Sequence, residues 1–243
     1  MFPPTSTGWR AVRGVLFDLD GTLLDIDLAS FIERYFAALS EALSEVLPAT
    51  HPSDALHAVH AATGAMMREH AGRTNQAVFE EEFARLTGVD LADHRDVFDR
   101  FYAERFPLLG DGYGEAPGAR AAVDAARSAG LRMAVATNPI FPRAAVIHRM
   151  AWAGFAHDEF EVITSYETME ACKPLPGYFR QTATALGVDP ARCMMVGDDR
   201  VLDLAAADVG MQTFYVGSDD EATADYRGDL DSLARLIDRL ADE

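Results

Sequence analysis

Five short apolar runs recur along the chain: Val12–Phe17, Leu131–Ala136, Phe160–Thr164, Cys193–Val196 and Met211–Val216. Runs of this length, rich in β-branched residues and apolar at consecutive positions, predict strands buried on both faces. Stretches with helical spacing separate most of them: Ala116–Ala129, Arg143–Ala153, Gly177–Leu186 and Leu202–Val209. Gly130 and Gly187 fall where glycine commonly follows a last helical turn. Leu230–Leu240 predicts a closing amphipathic helix. Strands alternating with helices predict a parallel sheet covered on both faces, that is, an α/β, doubly wound, Rossmann-like core.

Residues 28 to 106 break this rhythm. The spacing there is helical throughout and predicts helices over Leu28–Leu47, Ser53–His70, Asn75–Leu86 and Ala92–Phe106, punctuated by Pro48, Pro52, Gly72 and Gly88. A crossover between parallel strands needs far fewer residues. The stretch is therefore expected to form a smaller, all-helical cap over residues 25–111, leaving 1–24 and 112–243 as the α/β core. Within it, the polar segment from Arg68 to Asn75 reads first as a solvent loop and second as a loop that could face a site and read a substrate.

In a parallel α/β sheet, ligands bind beyond the carboxyl ends of the strands. The residues at those ends are Asp18 and Asp20 after the first strand, and Thr137 with Asn138 after the second. Lys173-Pro174 stands in the loop after the third, and Gly197-Asp198-Asp199 after the fourth, with Asp203 one turn on. Clustered carboxylates repel one another unless a cation sits among them. All-oxygen ligands suit a hard ion, and magnesium is the usual one beside phosphate. Asp18 could attack phosphorus as a carboxylate nucleophile. Asp20 could protonate a leaving oxygen and then activate water. Thr137 and nearby backbone N–H groups could bind the transferring oxygens, and Lys173 could neutralise the charge shared by phosphate and nucleophile. Asn138 either binds phosphate or turns the chain before Pro139. Cys172, beside Lys173, is expected to be a packing residue.

Charge and composition narrow the partners. The 243 residues carry a net charge of -18. Such a surface repels nucleic acid and anionic membranes, so neither is an expected partner. It also repels phosphorylated molecules, so a phosphate site here requires local cations. No apolar run approaches the roughly 18 residues needed to span a bilayer. Met1–Gly8 lacks a basic head followed by an apolar stretch and reads as a frayed end rather than a signal peptide. Two cysteines make no disulfide framework, and a reducing cytoplasm is the expected compartment. A monomer is expected, with a cap-mediated homodimer as the alternative.

The ordered elements resemble the haloacid dehalogenase (HAD) superfamily of phosphatases and phosphotransferases. Asp18-Leu19-Asp20-Gly21-Thr22 is similar to its first motif, Thr137 to its second, Lys173-Pro174 with Phe179 to its third, and Gly197-Asp198-Asp199-Arg200-Val201-Leu202-Asp203 to its fourth. The helical insertion resembles that of the phosphoglycolate phosphatase-like branch. The resemblance implies Mg2+ held by the Asp18 carboxylate, the Asp20 backbone carbonyl and Asp198. It also implies a further acidic residue behind them, for which both Asp199 and Asp203 are candidates and Asp203 is preferred. It implies hydrolysis of a small phosphorylated metabolite through an aspartyl-phosphate on Asp18. A phosphomutase on the same scaffold is the alternative. Dehalogenases generally lack the second aspartate, so Asp20 argues against them. A phosphonate hydrolase would need a cap lysine, and the insertion has none. A non-catalytic phosphate-binding module would keep the fold without turnover.

Overall fold

The computed structural model describes residues 12–70 and 72–241. The terminal segment Met1–Gly8 lies outside the described residues. Six parallel strands form the sheet, in the order β5 (Val162–Ile163), β4 (Arg132–Val135), β1 (Gly14–Phe17), β6 (Cys193–Gly197), β7 (Gln212–Tyr215) and β8 (Tyr226–Arg227). All four residues of β1 are buried. Val15 and Phe17 enter one hydrophobic cluster while Leu16 enters another, so successive side chains serve opposite faces.

Helices cover both faces. On one side lie α5 (Ala119–Ser128), α6 (Arg143–Trp152) and α8 (Leu230–Ala241), which bury Val123, Val146 and Ile237 with Val15 and Phe17. On the other, α7 (Pro176–Leu186) buries Tyr178, Phe179 and Leu186 with Leu16 and Met195. This is the doubly wound α/β architecture expected. The predicted helix over Leu202–Val209 is instead a 3₁₀ segment, Leu204–Val209, ended by Gly210 at φ 83°. The Asp199 carboxylate takes the N–H groups of Val201 and Leu202, which turns the chain before a regular helix can start.

The helical insertion leaves the core at β2 (Leu24–Asp25) and returns at β3 (Gly114–Glu115), and these two short strands pair antiparallel. Two-residue strands such as β2, β3 and β8 carry no readable period. Three predicted helices of the insertion form: α1 (Leu28–Val46), α2 (Pro52–Met66) and α3 (Asn75–Thr87). Helix α1 buries Phe31, Tyr35, Leu39, Leu43 and Val46, the stripe that a 3.6-residue period requires. Helix α3 starts at Thr74, whose hydroxyl accepts from the Ala77 N–H, and ends at Gly88 at φ 74°.

The fourth predicted helix, Ala92–Phe106, is broken into four pieces: a 3₁₀ turn (Leu91–His94), α4 (Arg95–Arg100), a π turn (Phe101–Arg105) and a 3₁₀ turn (Phe106–Gly110). The π turn brings Phe101 and Phe106, five residues apart, both into the core. There Phe106 stacks on Trp152 of α6 at 5.4 Å and 13°. Pro107 then removes the N–H that a continuing helix would use. Among the described residues no helix is long and apolar enough to cross a membrane.

Candidate active site

Strands β4, β1 and β6 are neighbours, and their register aligns their ends: Phe17 pairs with Val135 on one side and Val196 on the other. The Asp18 N–H donates to the Val196 carbonyl at 2.9 Å, and the Ala136 N–H to the Phe17 carbonyl at 2.7 Å. Pairing therefore continues to the last residue before the chemistry. It delivers Asp18, Thr137 and Asp198 side by side at the carboxyl edge.

Lys173 arrives from the loop between β5 and α7, with a cis bond to Pro174. It is the only lysine in the sequence. Its Nζ donates to Asp18 Oδ1 and to Asp203 Oδ1, both at 2.6 Å, and its side chain is buried. Burial alone would discharge this lysine, but the flanking Asp18 and Asp203 carboxylates hold it protonated above its ordinary range. Asp18 is pushed well above the usual carboxylate range, first by burial and then by Asp203 and Asp20, against the pull of Lys173. Asp198 is raised too, by burial and then by Asp203. One lysine does not neutralise this acidic group.

The residues around these acids fix them from behind. Thr22 Oγ1 donates to Asp198 Oδ1 at 3.1 Å. Gly21 stands at φ 83°, and a Cβ there would collide with the Asp198 carboxylate, so glycine is required on both counts. A Cβ at Gly197 would collide in the same way with Asp203. Both oxygens of Asp203 are engaged, Oδ1 by Lys173 and Oδ2 by the Asp199 N–H at 3.0 Å. Asp199 is exposed and its carboxylate only caps the local turn. The two candidate acids thus differ in their contacts: Asp203 joins the cluster of Asp18, Lys173 and Asp198, and Asp199 does not.

Thr137 is buried, and its carbonyl accepts from Thr164 Oγ1 at 2.7 Å and Tyr178 Oη at 3.0 Å. Asn138 Oδ1 accepts the Lys173 N–H at 3.2 Å, tying the loop after β4 to the lysine loop. Asn75, at the end of the polar Arg68–Asn75 segment, is fully buried. Its amide donates to the Pro139 carbonyl at 2.9 Å and reaches Cys172 Sγ at 3.3 Å. Asn75 therefore docks on the two loops that carry Asn138 and Lys173, while Arg68, Glu69, Gly72 and Arg73 are exposed, as a solvent loop would have them. Burial pushes the Cys172 thiol up to about 12, which makes it inert, as expected of a packing residue.

Sequence reasoning missed Arg149. This residue of α6 is 1% exposed, and its Nη1 pairs with Asp20 Oδ2. Its guanidinium lies 4.6 Å from the centre of the Phe141 ring. Its Nε and Nη2, and Asp20 Oδ1, are buried without a hydrogen-bond partner. A signal was available: Arg149 shares the buried face of α6 with Ala145, Val146 and Met150. A cation on an apolar helical stripe needs a buried partner.

Asp18, Asp198 and Asp203 each offer a ligand oxygen, all within 4.8 Å of one another. Oxygen donors in a buried, under-neutralised acidic cluster fit a hard divalent cation. Because both Asp203 oxygens are already occupied, Asp18 and Asp198 are the better donors. A buried carboxylate paired with a buried lysine, beside an acidic cluster at the carboxyl edge of a doubly wound sheet, is the arrangement of a hydrolase.

Comparison with known proteins places the chain more narrowly. Residues 12–209 match the haloacid dehalogenase-like hydrolases, and the chain belongs to that family. It is 30% identical over 252 residues to the phosphoserine phosphatase of Thermus thermophilus, with 89% of this chain and 95% of that one covered. It is 28% identical over 236 residues to the phosphoglycolate phosphatase of Xanthomonas campestris, with 96% and 94% covered. A HAD phosphatase from Thermococcus onnurineus has a similar fold, with a TM-score of 0.58 at 23% identity over 94% of this chain and 98% of that one.

Proposed function

We propose that this hydrolase is a Mg2+-dependent phosphatase that cleaves a small phosphate monoester through an aspartyl-phosphate on Asp18. The observation that carries the reading is the buried chain Asp18–Lys173–Asp203, with Asp20 two residues beyond the nucleophile. The curated relatives, named as phosphatases, support it.

The Asp18 carboxylate attacks phosphorus, and the bond from phosphorus to the ester oxygen breaks. Asp20 gives a proton to that oxygen, and the alcohol leaves. Water then attacks phosphorus, Asp20 takes its proton, and the bond to Asp18 breaks, releasing phosphate and the free carboxylate. Arg149 anchors Asp20 through Oδ2, leaving Oδ1, which has no partner, as the oxygen that exchanges the proton. Lys173 neutralises charge beside Asp18, and Asp203 holds Lys173 in place. Thr137 and Asn138, just past the end of β4, would bind the transferring oxygens. The Asp18 carboxylate, the Asp20 carbonyl and Asp198 would hold Mg2+, which would supply Lewis-acid stabilisation of the phosphoryl oxygens. The helical insertion, residues 25–111, serves as a cap that keeps water from the reacting atoms.

The test is phosphate release from an aryl phosphate with Mg2+ in the native protein and in Asp18→Asn. The variant is expected to lose at least about a thousandfold in rate. Equal rates would remove Asp18 as nucleophile.

A further inference from the structure

The start of α3 is tied into the core by its own unspent donors. Thr74 caps this helix, so the N–H groups of Asn75 and Gln76 find no partner within it. They donate instead to the Met169 and Tyr166 carbonyls, at 2.7 and 2.8 Å, on the loop between β5 and α7. Apolar contact seals these bonds: Ala65, Met66 and Val78 of the insertion cluster with Cys172 of the same loop.

The Asn75 side chain is fully buried, and both ends of its amide are engaged. Nδ2 donates to the Pro139 carbonyl at 2.9 Å and reaches Cys172 Sγ at 3.3 Å. A carbonyl only accepts, so Nδ2 and not Oδ1 must face Pro139, and the amide has one possible orientation. Oδ1 then accepts from His70 Nε2 at 2.8 Å. The other ring nitrogen of His70 lies 2.7 Å from the Arg68 carbonyl, which fixes the ring. His70 is thus the donor that completes the amide.

Pro139 follows Asn138, and Cys172 precedes Lys173. Asn138 Oδ1 in turn accepts the Lys173 N–H at 3.2 Å. These bonds close a ring that runs from Asn75 through one loop to the other and back. Lys173 meets Asp18 and Asp203 at the end of a flexible four-carbon stem, so the stance of its main chain decides whether Nζ reaches both. A displacement of about 1 Å, caused far from the chemistry, can cost on the order of a hundredfold in rate.

We propose that Asn75 is a positioning residue for Lys173 and Asn138, held in its one useful orientation by His70. The work assigned to Lys173 rests on the phosphatase reading above. The ring of bonds does not.

Lys173 is the only lysine in the chain, so lysine labelled with carbon-13 at Cε reports on this residue alone. The full chain is expected to give one sharp lysine signal by NMR without any substrate. Asn75→Ala is expected to shift or broaden it. Asn75→Asp keeps the size and the acceptor for His70 but loses the donor to Pro139, and is expected to do the same. It supplies the reading if Asn75→Ala does not fold. His70→Leu is expected to move the signal in the same direction by less. His70→Gln, whose amide can again donate to Oδ1, is expected to reverse most of that change. With an aryl phosphate and Mg2+, the Asn75 variants are expected to lose about 10- to 100-fold in kcat while KM stays within about threefold. A lysine signal unchanged in the Asn75 variants overturns the proposal, whatever the rates. So does a changed signal with kcat kept, and a His70→Gln no better than His70→Leu removes His70 from it. If the native chain hydrolyses no ester, a changed lysine signal upholds the ring of bonds and the phosphatase reading alone fails.

Discussion

Asp199 and Asp203 lie one turn apart in the same acidic segment, yet their hydrogen bonds give them different work. Asp203 takes Lys173 on one oxygen and the Asp199 N–H on the other. Asp199 takes only the N–H groups of its own turn. Asp203→Asn keeps the shape but removes the charge that keeps Lys173 in place, and is expected to lower kcat/KM by about 10- to 100-fold. Asp199→Asn preserves the turn, since asparagine caps about as well as aspartate, and is expected to stay within about threefold. Steady-state kinetics on the two variants checks this, and equal losses would contradict the assignment. The motif alone leaves both acids open, because spacing locates a carboxylate along the chain and not which atoms it satisfies. Asp18, Lys173 and Asp198, the proposed nucleophile, lysine and metal acid, were legible because each follows an apolar strand. Arg149 and Asn75 were not, because each is placed by packing between segments 64 to 129 residues apart in sequence.

At the scale of elements, patterning is most readable where one element buries one face for its whole length. Strand β1 and helices α1, α5 and α7 fall close to where their apolar patterns put them. It fails where a distant partner sets the geometry. Phe101 and Phe106 read as an ordinary helical stripe, but reaching the core together with Trp152 beneath them takes a π turn. The strands β2 and β3 pair across the whole insertion, from Leu24 to Glu115, and neither is long enough to show a period by itself. This pairing brings the two ends of the insertion together at the site's edge, four residues from Asp20. A motion of the helical segment would therefore be felt first beside Asp20, the proposed acid/base.

Across the whole molecule, an acidic chain concentrates its buried acids around one lysine. Burial raises Asp18 and Asp198 above the ordinary carboxylate range in the folded protein. In the metal-free protein the folded state then holds protons that the unfolded chain releases. Stability from these groups accordingly falls as pH rises from the ordinary carboxylate value through their raised values. The proposed Mg2+ would bind the ionised carboxylates, so its stabilisation would grow over the same window. At a hundredfold excess over Kd the gain is about 2.7 kcal/mol, or roughly 5–10 °C in Tm for a chain of this size. Scanning calorimetry is expected to show most of that shift at about pH 7.5 and much less at about pH 5. A shift independent of pH would contradict a metal site built on these acids.

The proposed transfer of phosphorus to Asp18 can be read on the protein itself. Asp20→Asn should still accept a phosphoryl group from an activated aryl phosphate with Mg2+, but should release it slowly for want of the base. Acid quenching followed by peptide mass spectrometry is expected to find the mass of one phosphoryl group on the peptide that spans Asp18, and none when Asp18→Asn is added. Phosphate release continuing in Asp18→Asn, or a phosphoryl group on any other residue, would contradict the account.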